Sequence, residues 1–271
     1  MNKPRPSPIV SNDGSRFRWV RIALAVVGSI GLLAGGSLRA QSAAGLIRQG
    51  HVLDVKLKAA AALALYQRAE KLQPRNVVIL VGIARQYRHL MADATDNDEK
   101  LRLGRLALDY SMRAAALAPN DSDAQLDVAI TLGKMLPLES KKEQVENSRR
   151  IKIAVDKALK LDPQNDLAWF VLGRWHQGYA ELSAVRRKLG EMLYGKLPES
   201  TDADAAHCFE KAIAANPHRL IHYIELGRCY ARMGRTAEAK KLIEKGLAMP
   251  DVGKDDPDVK ERGRETLSGL D

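Results

Sequence analysis

The sequence predicts an all-α fold in which pairs of helices stack one after another, and three observations lead to this prediction. Alanine is abundant and aromatic residues make up only 5% of the chain, which favours helix over sheet. A proline turn recurs four times along the chain. Small residues recur at fixed distances from these prolines, as expected where helices cross closely. The 271 residues, 45% of them hydrophobic, suit one large domain or two small ones and exclude a disordered chain.

The first 40 residues have the pattern of an export signal. Basic residues precede residue 22, and residues 22–38 are uncharged and contain four glycines. This run is shorter than the ~20 apolar residues that a spanning helix prefers, so we predict a signal peptide that is cleaved near Ala40. An uncleaved anchor, which would give membrane association through the N-terminus, and an organellar presequence are the alternatives.

The predicted signal changes how the charge and the cysteines are interpreted. The formal charge is +10, and about half of it lies in residues 1–40, so basicity is a weak argument for nucleic acid. A signal or an anchor places residues 41–271 outside the cytoplasm, and we expect a periplasmic protein. In an oxidising compartment Cys208 and Cys229 could form a disulfide, although helix cysteines are more often buried packing residues.

The proline turns set the register of an internal repeat. Counting each proline as position 32 of a 34-residue unit fixes the phase of the helices on both sides of it. The prolines are Pro74, Pro119, Pro163 and Pro217. The resulting repeats are 43–76, 77–121, 122–165, 166–219 and 220–253, followed by a capping helix in residues 254–271. These units resemble tetratricopeptide repeats and predict a right-handed helical solenoid of about five helix-turn-helix repeats.

Positions 8, 20 and 27 test this register, because only small side chains fit where the helices of a repeat cross. Fourteen of these fifteen residues are Ala or Gly, and Ile151 is the exception. Position 8 holds Gly50, Ala84, Ala129, Gly173 and Gly227; position 20 holds Ala62, Ala107, Ile151, Ala205 and Ala239; position 27 holds Ala69, Ala114, Ala158, Ala212 and Gly246.

Three repeats carry insertions between their helices. The first insertion contains the acidic segment 93–99, which we expect to be a solvated loop because it lacks the Gly and the distant Glu of a calcium loop. The third, about residues 178–201, predicts extra helical turns that end at Pro198, with Thr201 or Asp202 capping the next helix.

The segment LGRWHQGYAELSAVRRKLGEMLYGKLPEST, residues 172–201, is more specific than a generic repeat. Its distinctive residues are Gly173, Trp175, Arg186, Arg187, Tyr194, Gly195 and Pro198. From about residue 77 onward the chain resembles the tetratricopeptide-like domain of the regulator of microtubule dynamics family. The resemblance implies a non-enzymatic, all-helical domain, which in members at organelle contact sites binds and transfers phospholipids. The signal-like N-terminus suggests a bacterial exported member, and we find no acidic receptor-docking motif in the N-terminal region.

The register also predicts the side chains of the concave face. Positions 2, 5, 9, 12 and 13 of the first helix of each repeat share one stripe, because an α-helix has 3.6 residues per turn. Seven of the eight residues at positions 2 and 5 of repeats two to five are apolar, so the groove should have an apolar floor with a basic border. The predicted groove residues are Val78, Val81, Arg85, Arg88, Leu126, Lys134, Leu167, Phe170, Arg174, Ile221, Ile224 and Arg228. Arg232 extends the border.

An apolar floor left in water is costly, so something should cover it. The cover can be the protein's own inserted or C-terminal helix, an amphiphile whose phosphate or carboxylate meets the basic residues, or an amphipathic partner helix. We predict a non-enzymatic module that binds a protein or peptide on its concave face. Binding or transfer of a phospholipid-like or fatty-acyl amphiphile is the alternative.

Sequence signals for other chemistry are weak. The motifs G-x-S-x-G, H-E-x-x-H and C-x-x-C and glycine-rich phosphate loops are absent from the sequence. His218 and His222 have the spacing of a metal pair but no evident third ligand. The basic runs 149–152 and 186–188 lack an aromatic platform on which bases could stack. We therefore expect no enzyme activity, no cofactor, no metal and no nucleic-acid partner.

Overall fold

Helices make up all the regular secondary structure in residues 42–270, the part of the chain that this computed structural model describes. The predicted export signal lies outside the described residues. The twelve α-helices of this part are α1 Ala43–Val55, α2 Ala59–Leu72, α3 Val77–Asp93, α4 Asn97–Leu117, α5 Ser122–Met135, α6 Lys141–Leu161, α7 Asp166–Ala180, α8 Ala184–Tyr194, α9 Asp202–Ala215, α10 Leu220–Arg232, α11 Thr236–Leu247 and α12 Asp256–Ser268.

The helices form a right-handed solenoid of five antiparallel pairs. The pairs are α1 with α2, α3 with α4, α5 with α6, α7 with α9, and α10 with α11. Each second helix also packs against the first helix of the next pair, so the core is continuous along the stack. Helix α12 packs on α10 and α11, where the first helix of a sixth pair would lie. The predicted all-α solenoid with a C-terminal capping helix is confirmed.

The small residues that set the register all lie in the interior. Every residue at positions 8, 20 and 27 is buried, including Ile151. At Gly173 a Cβ atom would lie 2.6 Å from Phe209, and at Gly227 one would lie 2.5 Å from Ile243. A larger side chain at either glycine would push the paired helices apart, which explains why the sequence places glycine at these crossings.

The proline turns also begin the next helix. Two residues after each of the first three prolines, a polar side chain accepts a hydrogen bond from the backbone of the following helix. These N-caps are Asn76, Asp121 and Asn165. Each satisfies an N–H group that would otherwise have no partner in the helix. One short motif therefore ends one repeat and starts the next.

The insertions of repeats two and four form different structures. Segment 93–99 is not a loop, because α3 extends to Asp93 and α4 begins at Asn97, with Asp96 as its N-cap. The extra residues lengthen both helices instead. The insertion of repeat four forms α8, and the next helix begins with a capping box in which Thr201 and Asp204 bond reciprocally.

The structure also bears on two further points, the state of the two cysteines and whether a described helix could span a membrane. Cys208 and Cys229 are both free and buried. Burial raises the pKa of the Cys208 thiol to about 12 and that of Cys229 to about 11, so both behave as apolar packing groups. Within residues 42–270, none of the helices combines the length and the apolar character that a membrane crossing needs.

Candidate binding surface on the concave face

The predicted apolar floor is only partly accessible. Val78 is exposed at the start of α3, and a second set of floor residues is half-buried. This set consists of Val81, Leu167, Phe170 and Ile221. Leu126 and Ile224 lie in the core instead. Phe170 packs its ring 5.7 Å from that of Phe209, so one face of it also belongs to the interior.

Helix α12 explains the burial of Ile224. Val259 and Gly263 of α12 lie against Ile224, and a Cβ atom at Gly263 would come within 3.2 Å of it. The C-terminal capping helix therefore covers the end of the predicted apolar floor. It is one of the three kinds of cover that the sequence allowed. Leu126 is buried by packing against the neighbouring repeat within its own core cluster.

The segment before α12 extends this cover toward the middle of the chain. Lys254 forms an ion pair with Asp93 at the end of α3, and Asp255 lies 2.7 Å from Lys134 of α5. The loop between α11 and α12 thus reaches the C-terminal halves of two helices from repeats two and three. The chain's own C-terminal segment occupies part of the concave side.

The predicted basic border consists mainly of paired charges. Arg85 pairs with Asp54 of α1, and Arg232 pairs with Asp202 and Glu181. Arg88 is not at a border: it is buried, and its guanidinium lies 2.6 and 3.0 Å from the carboxylate oxygens of Asp127. These arginines tie helices together, and a ligand would have to compete with carboxylates already in place.

The Arg88–Asp127 pair belongs to a buried network that joins α3, α4 and α5. Arg88 also donates to the hydroxyl of Thr131 at 2.8 Å. Ser111 lies 2.6 Å from Asp127 and 3.0 Å from Thr131. Each charged atom has a partner, so this network is a structural element that fixes how repeats two and three dock.

A different arrangement lies between α7, α10 and α12, and we call its four residues the arginine cluster. Glu225 of α10 accepts hydrogen bonds from Arg174 of α7 at 3.0 Å, from Arg228 at 2.8 Å and from Arg262 of α12 at 3.1 Å. The Glu225 side chain is 0% exposed, whereas that of Arg174 is 45% exposed. Three guanidiniums share one carboxylate, which leaves two positive charges in excess.

The electrostatics of the cluster favour an anion. Burial alone would raise the pKa of Glu225, but the three guanidiniums outweigh it and hold the pKa below its ordinary value. Side-chain nitrogens of Gln177, Arg228 and Arg262 are buried and find no hydrogen-bond partner in the described part of the chain. Buried donors of this kind are normally satisfied, but these nitrogens are closed off from solvent, so a ligand would meet the cluster through the 45% exposed Arg174.

Part of this site could be predicted and part was missed. The concave stripe predicted Arg174 and Arg228, but not the shared carboxylate or Arg262. Glu225 occupies position 6 of repeat five, and Asp127 occupies position 6 of repeat three. An acid at this position, beside basic residues at positions 9 and 12 of the preceding repeat, is the signal that would have identified both pairings.

The candidate metal pair does not assemble. His222 is fully buried, and its Nε2 lies 3.0 Å from Asp166, whereas His218 is exposed in the turn before α10. Within residues 42–270, no group of three or more His, Cys, Asp or Glu residues is placed to hold a metal ion. His222 fixes the docking of α7 on α10 through Asp166.

Comparison with solved structures supports the fold. A thermophilic tetratricopeptide-repeat protein of Thermus thermophilus aligns with 84% of this chain and 100% of its own, with a TM-score of 0.59 and 18% identity. The pilF protein of Pseudomonas aeruginosa aligns with 84% of this chain and 88% of its own, with a TM-score of 0.52 and 12% identity. At these identities the likeness shows the architecture alone.

Comparison of sequences identifies the family. Human regulator of microtubule dynamics protein 2 is 27% identical over 188 residues, which cover 69% of this chain and 46% of the relative. The Caenorhabditis elegans protein 1 is 26% identical over 62% of this chain and 74% of its own length. The chain thus spans about half the length of most of these relatives. The model of regulator of microtubule dynamics protein 1-3 matches residues 46–271, and the chain belongs to that family.

Proposed function

We propose that the solenoid is a non-enzymatic binding module that receives a carboxylate of a protein partner at the arginine cluster. The observation that carries this proposal is the excess of positive charge around Glu225, with Arg174 half-exposed beside it. Guanidinium groups match carboxylates in geometry and form charge-assisted hydrogen bonds. An acidic side chain or a C-terminal carboxylate would pair with the exposed part of Arg174 and offset the excess positive charge.

The accessible surface favours a protein over an acyl chain. A lipid tail needs a continuous apolar channel, but Leu126 and Ile224 lie in the core and α12 covers the end of the floor. A peptide can combine an anionic contact with short apolar ones. Val78 and Val81 near the start of α3 offer such a short apolar contact.

Binding of a phospholipid-like amphiphile is the second candidate. It is supported by the half-buried Val81, Leu167 and Phe170 and by what the family resemblance implies. Its phosphate would meet the same arginine cluster. The two candidates therefore share the anion site and differ in what lies on the apolar residues.

The anion site is tested with a matched pair of arginine variants. Arg174→Gln removes the half-exposed guanidinium of the cluster. Arg102→Gln removes an exposed guanidinium that pairs with Glu99 on α4. Using a fluorescein-labelled acidic peptide with a free C-terminal carboxylate as the probe, we expect Arg174→Gln to weaken binding by about tenfold. Arg102→Gln should leave the anisotropy curve unchanged.

The amphiphile candidate is tested on the same preparations. Native mass spectrometry of the purified protein should show the mass of the polypeptide alone if the partner is a protein. A co-purifying mass that is extracted by organic solvent and is lost in a Phe170→Asp variant would favour the amphiphile. Equal peptide binding by Arg174→Gln and the parent, with no extractable mass, would refute both candidates for this site.

We also propose that the domain acts outside the cytoplasm of its host, most simply in a periplasm. The support is the basic, then apolar, pattern of residues 1–40. Intact-mass measurement on protein recovered from the periplasmic fraction should give a chain that begins near residue 41. Recovery of the full-length chain from the cytosol would contradict this proposal.

A further inference from the structure

Helix α8, the inserted helix of repeat four, exposes an apolar stripe that nothing in the described chain covers. The stripe consists of Val185, Leu189, Met192 and Leu193, which are 78%, 53%, 75% and 60% exposed, respectively. The last three follow Val185 by four, seven and eight residues, which places all four on one face of the helix. Soluble domains rarely leave such a contiguous stripe open without a function.

Basic residues border the stripe on both sides. At 100° per residue, Lys188 lies about 40° from one edge of the stripe and Arg186 about 20° from the other. Both side chains are exposed. An amphipathic helix with an apolar face between basic side chains has the composition of helices that lie in the interface of anionic membranes.

The opposite face of α8 fixes the direction in which the stripe points. Arg187 donates to the backbone oxygens of Tyr179 and Pro198, both at 2.9 Å. Arg149 of α6 donates to the backbone oxygen of Tyr194 at 2.9 Å. The buried Leu197 packs against Gly190, where a Cβ atom would lie only 2.9 Å from it. These contacts hold α8 by its polar side and turn the apolar side outward.

The stripe suits a lipid surface better than a protein. A stable interface between two copies buries roughly 800 Å² on each partner, which is more than four side chains of one 11-residue helix provide. The basic borders of two copies would also repel each other at such an interface. A partner helix normally lies in a groove between elements, whereas no residue of α8 itself is buried.

We propose that α8 is a membrane-docking helix, in which Val185, Leu189, Met192 and Leu193 enter the interface of an anionic bilayer while Arg186 and Lys188 meet lipid phosphates. This surface is separate from the arginine cluster on the concave face. Docking would bring the solenoid to a membrane through this face of α8.

The test uses the full chain with a reporter on α8. Residues 1–40 carry basic and apolar residues of their own, so total binding to vesicles would not single out α8. Met192→Cys, labelled with an environment-sensitive fluorophore, reports the surroundings of this helix alone. Cys208 and Cys229 are buried with raised pKa values and should react slowly. Val55→Cys on α1, also exposed, is the matched control.

On mixed phosphatidylcholine and phosphatidylglycerol vesicles, the label at residue 192 should shift to the blue and the label at residue 55 should not. Adding Leu189→Asp should raise the vesicle concentration needed for half of the shift by about tenfold or more. Pure phosphatidylcholine or high salt should weaken the shift, because the basic borders act through charge. Arg102→Gln, which removes an exposed guanidinium of α4 outside both proposed sites, should leave the shift unchanged.

Three outcomes would overturn the proposal. One is an unshifted label at residue 192 on vesicles that nevertheless bind the chain. Another is a shift that Leu189→Asp leaves intact. A third is a shift that develops without vesicles as protein concentration rises, since that would assign the stripe to a second copy of the chain.

Discussion

Two charged regions of the solenoid are built from the same residue types, arginine and an acidic residue, but they differ in charge balance. Between α3 and α5, the buried Arg88 and Asp127 balance one to one, and the hydroxyls of Thr131 and Ser111 complete their hydrogen bonds. Between α7 and α12, three arginines share Glu225, and donors remain unsatisfied. The contrast suggests that balance and burial distinguish a charged group that holds repeats together from one that is free to bind.

The largest effect is expected from removing one side of the balanced pair. Asp127→Ala leaves the Arg88 guanidinium buried without a counter-charge, which should lower the free energy of unfolding by about 3–5 kcal/mol. Urea denaturation followed by circular dichroism measures this. Asp109→Ala removes an exposed carboxylate that pairs with Arg113 at 3.8 Å, and it should cost no more than about 1 kcal/mol. Similar losses in the two variants would show that the Arg88–Asp127 pair is not structural.

The second largest effect is expected in acid, where protonation of His89, the chain neighbour of Arg88, should destabilise the fold. Burial lowers the pKa of His89 to about 4; Asp54 opposes this, while Arg88, Arg85 and Lys134 reinforce it. The unfolded chain binds the proton near pH 6.5. The contribution of neutral His89 is therefore fully present above about pH 6.5 and is lost as the pH falls toward 4.

Over this range the free energy of unfolding of the parent should fall by about 1–3 kcal/mol more than that of His89→Gln. The measurement is the midpoint of urea unfolding at a series of pH values for both proteins. Other histidines of the chain are present in both and cancel in the difference. Parallel pH curves for parent and variant would place the acid sensitivity elsewhere in the molecule.

The fold could be predicted because the rules that set it are local. A proline turn followed by a capping residue fixes where the helices begin, and Gly173 and Gly227 are required where helices cross. The pairings of the site are not local: Arg88 and Asp127 are 39 residues apart, and Arg174 and Glu225 are 51 apart. The C-terminal segment folds onto the concave side and buries Ile224. This placement depends on how α12 packs, and the repeat periodicity does not predict it.

Helix α8 shows a second limit of the sequence-based prediction. The insertion predicted extra helical turns, and its basic residues were visible. Its apolar residues could equally have been core, since their spacing matches either a buried or an exposed face. Only the structure places the stripe outward, because backbone contacts of Arg187 and packing of Leu197 hold the other side.

The smallest effect on stability, and the most informative one, is expected at the unbalanced region. Glu225→Gln removes the shared carboxylate but keeps one acceptor oxygen. Arg174 and Arg262 are 45% and 37% exposed and can turn toward water, so only Arg228 loses a partner that solvent does not readily replace. The expected loss is about 1–2 kcal/mol, smaller than that for Asp127→Ala, because partly exposed charges are compensated by solvent.

Binding should change in the opposite direction to stability. The cluster rises from two to three uncompensated positive charges, so affinity for the acidic fluorescein-labelled peptide should increase, and the increase should shrink as salt is added. Glu99→Gln, which removes the exposed partner of Arg102, controls for a general change in net charge. If Glu225→Gln instead unfolded the chain as readily as Asp127→Ala and bound the peptide less tightly, Glu225 would be a structural anchor like Asp127. The distinction between balanced and unbalanced charge would then fail, because the three arginines would serve only to hold α12 in place.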